Sequence, residues 1–123
     1  MRGTRAALAV VLFAACTDQH QLPGPGTLTA TLRSPNGPEG AAVVLLAGEG
    51  VSQILPVGDT EAHFSASGDE TRVVLVNQAG GTLAFEVLVL DRDHPPVGIV
   101  TEVAGPDDAL RASLAGYFLE ITP

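Results

Sequence analysis

Few residues in this chain have the type and spacing to do chemistry. The densest polar group is Asp91-Arg92-Asp93-His94, followed by Pro95-Pro96. Two carboxylates and an imidazole so close together could ligate a divalent cation, with Asp107 and Asp108 as further donors if the fold brings them near. An EF-hand loop needs acids at spaced positions around a central Gly, and that spacing is missing; Arg92 also neutralises part of the charge. A solvated turn stiffened by two prolines explains the same residues. Asp91, Asp93 and His94 are therefore candidate ligands only, and no cofactor is expected. His63 falls on the polar face of an alternating segment, and His20 in a polar one. Glu61, Glu86 and Glu120 lie in strand-like runs and could pair as acid and base only if the fold converged them. The sequence has no Gly-x-Ser-x-Gly elbow, no His-Glu-x-x-His and no phosphate-binding Gly-rich loop. No catalytic residue is assigned, and the chain is not expected to be an enzyme. What remains is one thiol, Cys16, the sole cysteine among 123 residues.

The context of that thiol is specific. The N-terminus reads MRGTRAALAVVLFAAC: Arg2 and Arg5 come first, then an uncharged apolar run from Ala6 to Ala15. Such a run is too short to span a bilayer as a helix, yet it fits the core of a secretory signal. Arg2 and Arg5 are separated, so a twin-arginine signal is not indicated. Phe13-Ala14-Ala15-Cys16 resembles the lipobox of bacterial lipoproteins, with Phe13 standing where Leu is usual. The resemblance implies cleavage between Ala15 and Cys16 and a diacylglyceryl group on the Cys16 thiol. Two or three acyl chains, at about 0.8 kcal/mol per buried CH₂, would anchor the protein stably. Thr17 follows the cysteine and Asp18 comes only next, which points to the outer rather than the inner membrane of a diderm envelope. The competing reading is an ordinary signal peptide that leaves Cys16 free.

Composition narrows the rest. Six arginines and no lysine face 14 acids, a formal charge of −8, and 46% of residues are apolar while only 4% are aromatic. So many Val, Leu and Ala residues exclude a disordered acidic tail. With so few cations no basic face can form, and no nucleic-acid partner is expected. Removing residues 1–15 takes Arg2 and Arg5, leaving four arginines against 14 acids and a formal charge of −10. That surface is repelled by anionic headgroups, so the domain should stand off the membrane. With Cys16 lipidated no disulfide can form.

These features need elements to carry them. Residues 16–26 run through Thr17 to Gly26 as TDQHQLPGPG, a tether reaching at most ~35 Å. From residue 27 to 123 the hydrophobic period is two. Leu28, Ala30 and Leu32 share one face, as do Ala62, Phe64 and Ala66, and Leu83, Phe85, Val87 and Val89. Further strands are expected at 41–47, 97–104 and 117–122, and 51–57 reads as an edge because of Pro56. Gln78-Ala79-Gly80-Gly81 reads as a hairpin link between strands at 71–77 and 82–90. Phe64, Phe85, Tyr117 and Phe118 are expected in the core, with the Tyr117 hydroxyl at its rim. Seven or eight short strands separated by Gly-, Pro- and Asp-rich turns predict an all-β antiparallel two-sheet sandwich. Gly105 to Leu114, with Asp107, Asp108 and Leu residues four apart, predicts one short helix before the last strand.

The size, strand count and short helix resemble immunoglobulin-like and cohesin-like sandwiches, in architecture alone. The resulting expectation is a lipid-anchored envelope protein with a structural or protein-binding role and an envelope protein as partner. An edge strand, or the end loop Ser34 to Gly40, would be its binding surface. The alternatives are a small envelope hydrolase, which needs Asp93, His94, His63 or a serine in one pocket, and a periplasmic carrier or inhibitor.

Overall fold

The computed structural model describes residues 24–123; Ala15, Cys16 and the preceding signal-like run lie outside the described residues. The described chain is all-β. Eight strands follow in order: β1 (Gly26–Arg33), β2 (Glu39–Ala47), β3 (Val51–Pro56), β4 (Glu61–Ser67), β5 (Glu70–Gly81), β6 (Ala84–Val89), β7 (Val97–Ala104) and β8 (Phe118–Thr122). They form two four-stranded sheets, β3-β6-β1-β8 and β4-β5-β2-β7, with every pairing antiparallel. The first strand pairs with the last, the second with the seventh, the third with the sixth and the fourth with the fifth. The chain is thus one long ribbon, tipped by the β4–β5 hairpin and folded over itself. Pairings β1–β6 and β2–β5 then join its halves side by side.

Alternation builds the core as read from the sequence. Leu28, Ala30 and Leu32 of β1 and Phe85, Val87 and Val89 of β6 are buried, facing Ala42, Val44 and Leu46 of β2 and Val73 and Leu75 of β5. Pro56 closes β3 on an edge, where its missing N–H breaks no ladder. Gly98 of β7 has no side chain where Leu119 of β8 packs, so the Leu119 side chain fills the space between the two sheets on that side.

Three local expectations are corrected. Gln78 to Gly81 is not a hairpin link: β5 runs on through it, and β5 and β6 belong to opposite sheets. In β4 the alternation points the right way, but the strand is an edge, so only Ala62 packs on the core and Phe64 stays 43% exposed. Phe118 is likewise exposed, on the outer face opposite Arg33.

Gly105 to Leu114 forms no helix. Asp107 uses its Oδ1 to accept the Ala109 N–H at 3.2 Å, an Asx turn in place of a helix cap. Asp108 sits in the left-handed region at φ 65°, which ends any helical path. The loop closes through Gly105 N–H to Ala109 O (3.0 Å), and Arg111 N–H returns to Val103 O (2.8 Å). A helix this short has little stability of its own. Contacts back to β7 therefore decide its shape.

The strand directions give the sandwich two distinct ends. The chain enters at one of them, where Arg92 N–H bonds Gly24 O (3.0 Å), Gly48 N–H bonds Asp69 O (2.7 Å) and Leu90 N–H bonds Gly50 O (2.8 Å). The far end gathers the loops 34–38, 57–60, 82–83 and 105–117.

Candidate functional site

At the far end a carboxylate is buried. Glu39 opens β2 and is 1% exposed, at the mouth of an otherwise apolar interior. Its position follows from the turn before it: Ser34-Pro35-Asn36-Gly37 bends the chain from β1 to β2, and the Ser34 hydroxyl accepts the Asn36 N–H at 3.0 Å. A carboxylate so placed needs donors on all sides. Arg111 supplies two, Nε and Nη2, to Oε1 at 3.0 and 2.9 Å. The Ser34 hydroxyl donates to Oε2 at 2.5 Å, and the Tyr117 hydroxyl donates to the same oxygen. Asn36 Nδ2 then donates to the Tyr117 oxygen at 2.8 Å.

Burial pushes the Glu39 carboxyl up, but the Ser34, Tyr117 and Arg111 hydrogen bonds more than offset it and hold the group below its ordinary value. Arg111 is raised by its hydrogen bond to Glu39. The ionised carboxylate thus ties three elements together: the β1–β2 turn, the start of β2 and the long β7–β8 connection. Glu39 is a fully engaged acceptor held in its ionised form near neutrality, poorly suited to exchanging protons there. Beside it a cleft of about 300 Å³ opens at the surface, lined by Arg33, Ser34, Gly37, Glu39, Thr82 and Leu83 among others. Arg33 is paired with Glu120 at 2.5 Å on the exposed outer face of the first sheet.

The sequence-derived candidates lie at the other end. Asp91 leaves β6 and accepts the Asp93 N–H at 2.9 Å through Oδ1, while His94 Nδ1 approaches its Oδ2 at 2.7 Å. The Asp93 N–H, then His94, hold the Asp91 carboxyl below the usual range. Asp93 contributes its backbone to this turn. Asp107 and Asp108 sit across the length of β7, about 24 Å of extended strand away, so they do not join Asp91, Asp93 and His94. Among the described residues no group of three or more His, Cys, Asp or Glu side chains is placed to hold a metal ion. His63 lies on the edge strand β4, 3.5 Å from Glu61, and is not brought together with His94. Cys16 and Ala15 lie outside the described residues.

In the sequence Glu39 reads as part of a turn and the Tyr117 hydroxyl as a core-rim group without a partner. The available signal was an acid opening an apolar strand, two residues after an Asn-Gly turn. Compared with protein-family models, curated proteins and solved structures, the chain matches none.

Proposed function

We propose that this protein is a lipid-anchored binding module of the bacterial cell envelope, held by an acylated Cys16 and presenting a rigid β-sandwich to an envelope protein. The observation that carries the reading is the order of features before the fold: Arg2 and Arg5, the apolar run, then Phe13-Ala14-Ala15-Cys16. The sandwich geometry supports it. The chain enters at one end, and the loop Ser34 to Gly40 with its neighbouring cleft lies at the opposite end. With an anchor at Cys16 the tether joins the entry end, which leaves the opposite loop cluster free for a partner to reach. Binding is favoured over catalysis because the buried carboxylate has both oxygens engaged. The likeness to immunoglobulin-like and cohesin-like domains is one of size and layering, together with β2–β5 and β3–β6 pairings that also occur in immunoglobulin sandwiches.

Fractionation of a diderm host expressing the full chain tests the anchor. The wild type is expected with the outer-membrane pellet and Cys16→Ser in the soluble fraction. A soluble wild type, or a variant that still pellets with membranes, overturns the reading.

A further inference from the structure

The two outer faces of the sandwich differ in how far their apolar side chains are contiguous. On the first sheet, β1 turns Thr27, Thr29, Thr31 and Arg33 outward with Glu86 and Glu120 beside them, so that the outward Leu55, Leu88 and Phe118 are separated by polar side chains. On the second sheet β2, β5 and β7 turn Val43, Leu45, Val74, Val76, Val97 and Ile99 outward around the two charges Arg72 and Glu102, while the edge strand β4 adds a polar rim of Glu61, His63 and Ser65. Val97 and Ile99 are 63% and 45% exposed. The sequence carries the same message. Ala41 to Leu46 and Val73 to Val76 are unbroken apolar runs, the pattern of strands covered on both faces, yet only alternate members reach the core. At the far end of this face Leu110, 68% exposed, borders a shallow apolar groove of about 70 Å³.

We propose that this face is a dimer interface, the β4-β5-β2-β7 sheet of one copy packing on the same sheet of a second copy. Charge placement selects a second copy as the occupant. Arg72 of β5 lies beside Leu45, and Glu102 of β7 lies beside Val43, so the two opposite charges flank the central strand diagonally. A two-fold axis lying in the interface and crossing β2 between Val43 and Leu45 sets Arg72 of each copy over Glu102 of the other. Because a two-fold contact is made twice, two ion pairs then bracket one apolar centre. The face measures about 19 by 24 Å from strand spacing and rise, on the order of 450 Å² in projection. That falls below the ~800 Å² per partner of a standard interface, so the dimer forms reversibly. Edge-to-edge pairing through β7 is disfavoured by the bulge opposite Val43 and Val44, which breaks that strand's regular ladder. The inference does not rest on Cys16 being acylated.

Sedimentation velocity of the full chain in a mild non-ionic detergent, over a hundredfold dilution, provides the test. The wild type is expected to shift from one chain to two as concentration rises. Arg72→Glu and Glu102→Arg should each stay at one chain while keeping the wild-type circular dichroism, and the double variant Arg72→Glu/Glu102→Arg should regain the shift. A wild type that stays at one chain throughout overturns the proposal. So does a single variant that dimerises as the wild type does, or a double variant that fails to recover.

Discussion

Replacing Glu39 by Gln keeps the size of the side chain and removes its charge, which isolates what the buried carboxylate does. In the native domain its two oxygens receive Arg111, Ser34 and Tyr117 while the group is 1% exposed. An amide offers one acceptor oxygen and one donor nitrogen. Turning the oxygen to Arg111 sets the NH₂ against the two hydroxyls, and Tyr117 already accepts from Asn36. At least one charge-assisted bond becomes a neutral one and another is lost. Such bonds contribute about 1.5–3 kcal/mol against about 1 for neutral pairs. Arg111 keeps 29% exposure and recovers some hydration, so the expected loss is about 2 kcal/mol, below the ~3–5 kcal/mol of a fully buried broken pair. For a domain of this size that lowers the melting temperature by roughly 10 °C. The pH dependence has a fixed sign. A carboxyl held below its ordinary 4.5 stabilises the fold above that value, and the contribution disappears as pH falls through the lower folded value. Thermal melts followed by circular dichroism should show a wide gap between wild type and Glu39→Gln near neutrality that closes in acid. Equal melting temperatures near neutrality, or a gap that persists under acid conditions, would refute the clamp.

Three further substitutions probe the ends of the sandwich. Gly40→Ala would bring a Cβ within 2.6 Å of the Gly105 carbonyl oxygen, a backbone atom fixed by its own loop. It should lower stability by about 1–3 kcal/mol in a denaturant titration. At the entry end, His94→Ala should leave the melting temperature unmoved, because the His94–Asp91 pair is largely solvated (81% and 38% exposed side chains). Asp91→Ala should lower it measurably, since that carboxylate also holds the Asp93 N–H of the turn.

How far the fold could be read depended on what each residue competes against. In β1 and β6, alternation of Leu28, Ala30 and Leu32 with threonines, and of Phe85, Val87 and Val89 with Ala84 and Glu86, meets an opposite sheet along its whole length. In β4 the same alternation says which way Phe64 points but not that the strand lies beyond the opposing core. Around Asp107 the residues that cap a helix also make an Asx turn. The choice was settled by Arg111, whose backbone returns to Val103 while its side chain reaches Glu39. Gln78 to Gly81 has hairpin chemistry, but Gly81 instead pairs with Glu39 across the second sheet. The Glu39 cluster was the least legible part. Arg111 and Tyr117 lie 72 and 78 residues from it in sequence, and only the ribbon topology brings those segments together. The outer-face asymmetry was present in the unbroken apolar runs of β2 and β5, but reading it required knowing which strands lie at the centre of a sheet.

The proposed Cys16 anchor is tested most directly by the mass of the N-terminal peptide of the protein recovered from membranes. Acylation at Cys16 gives a peptide that begins at Cys16 and carries a thioether-linked diacylglyceryl group, with residues 1–15 gone. A peptide that retains Arg2 and Arg5, or one that begins near Cys16 with an unmodified thiol, would contradict it.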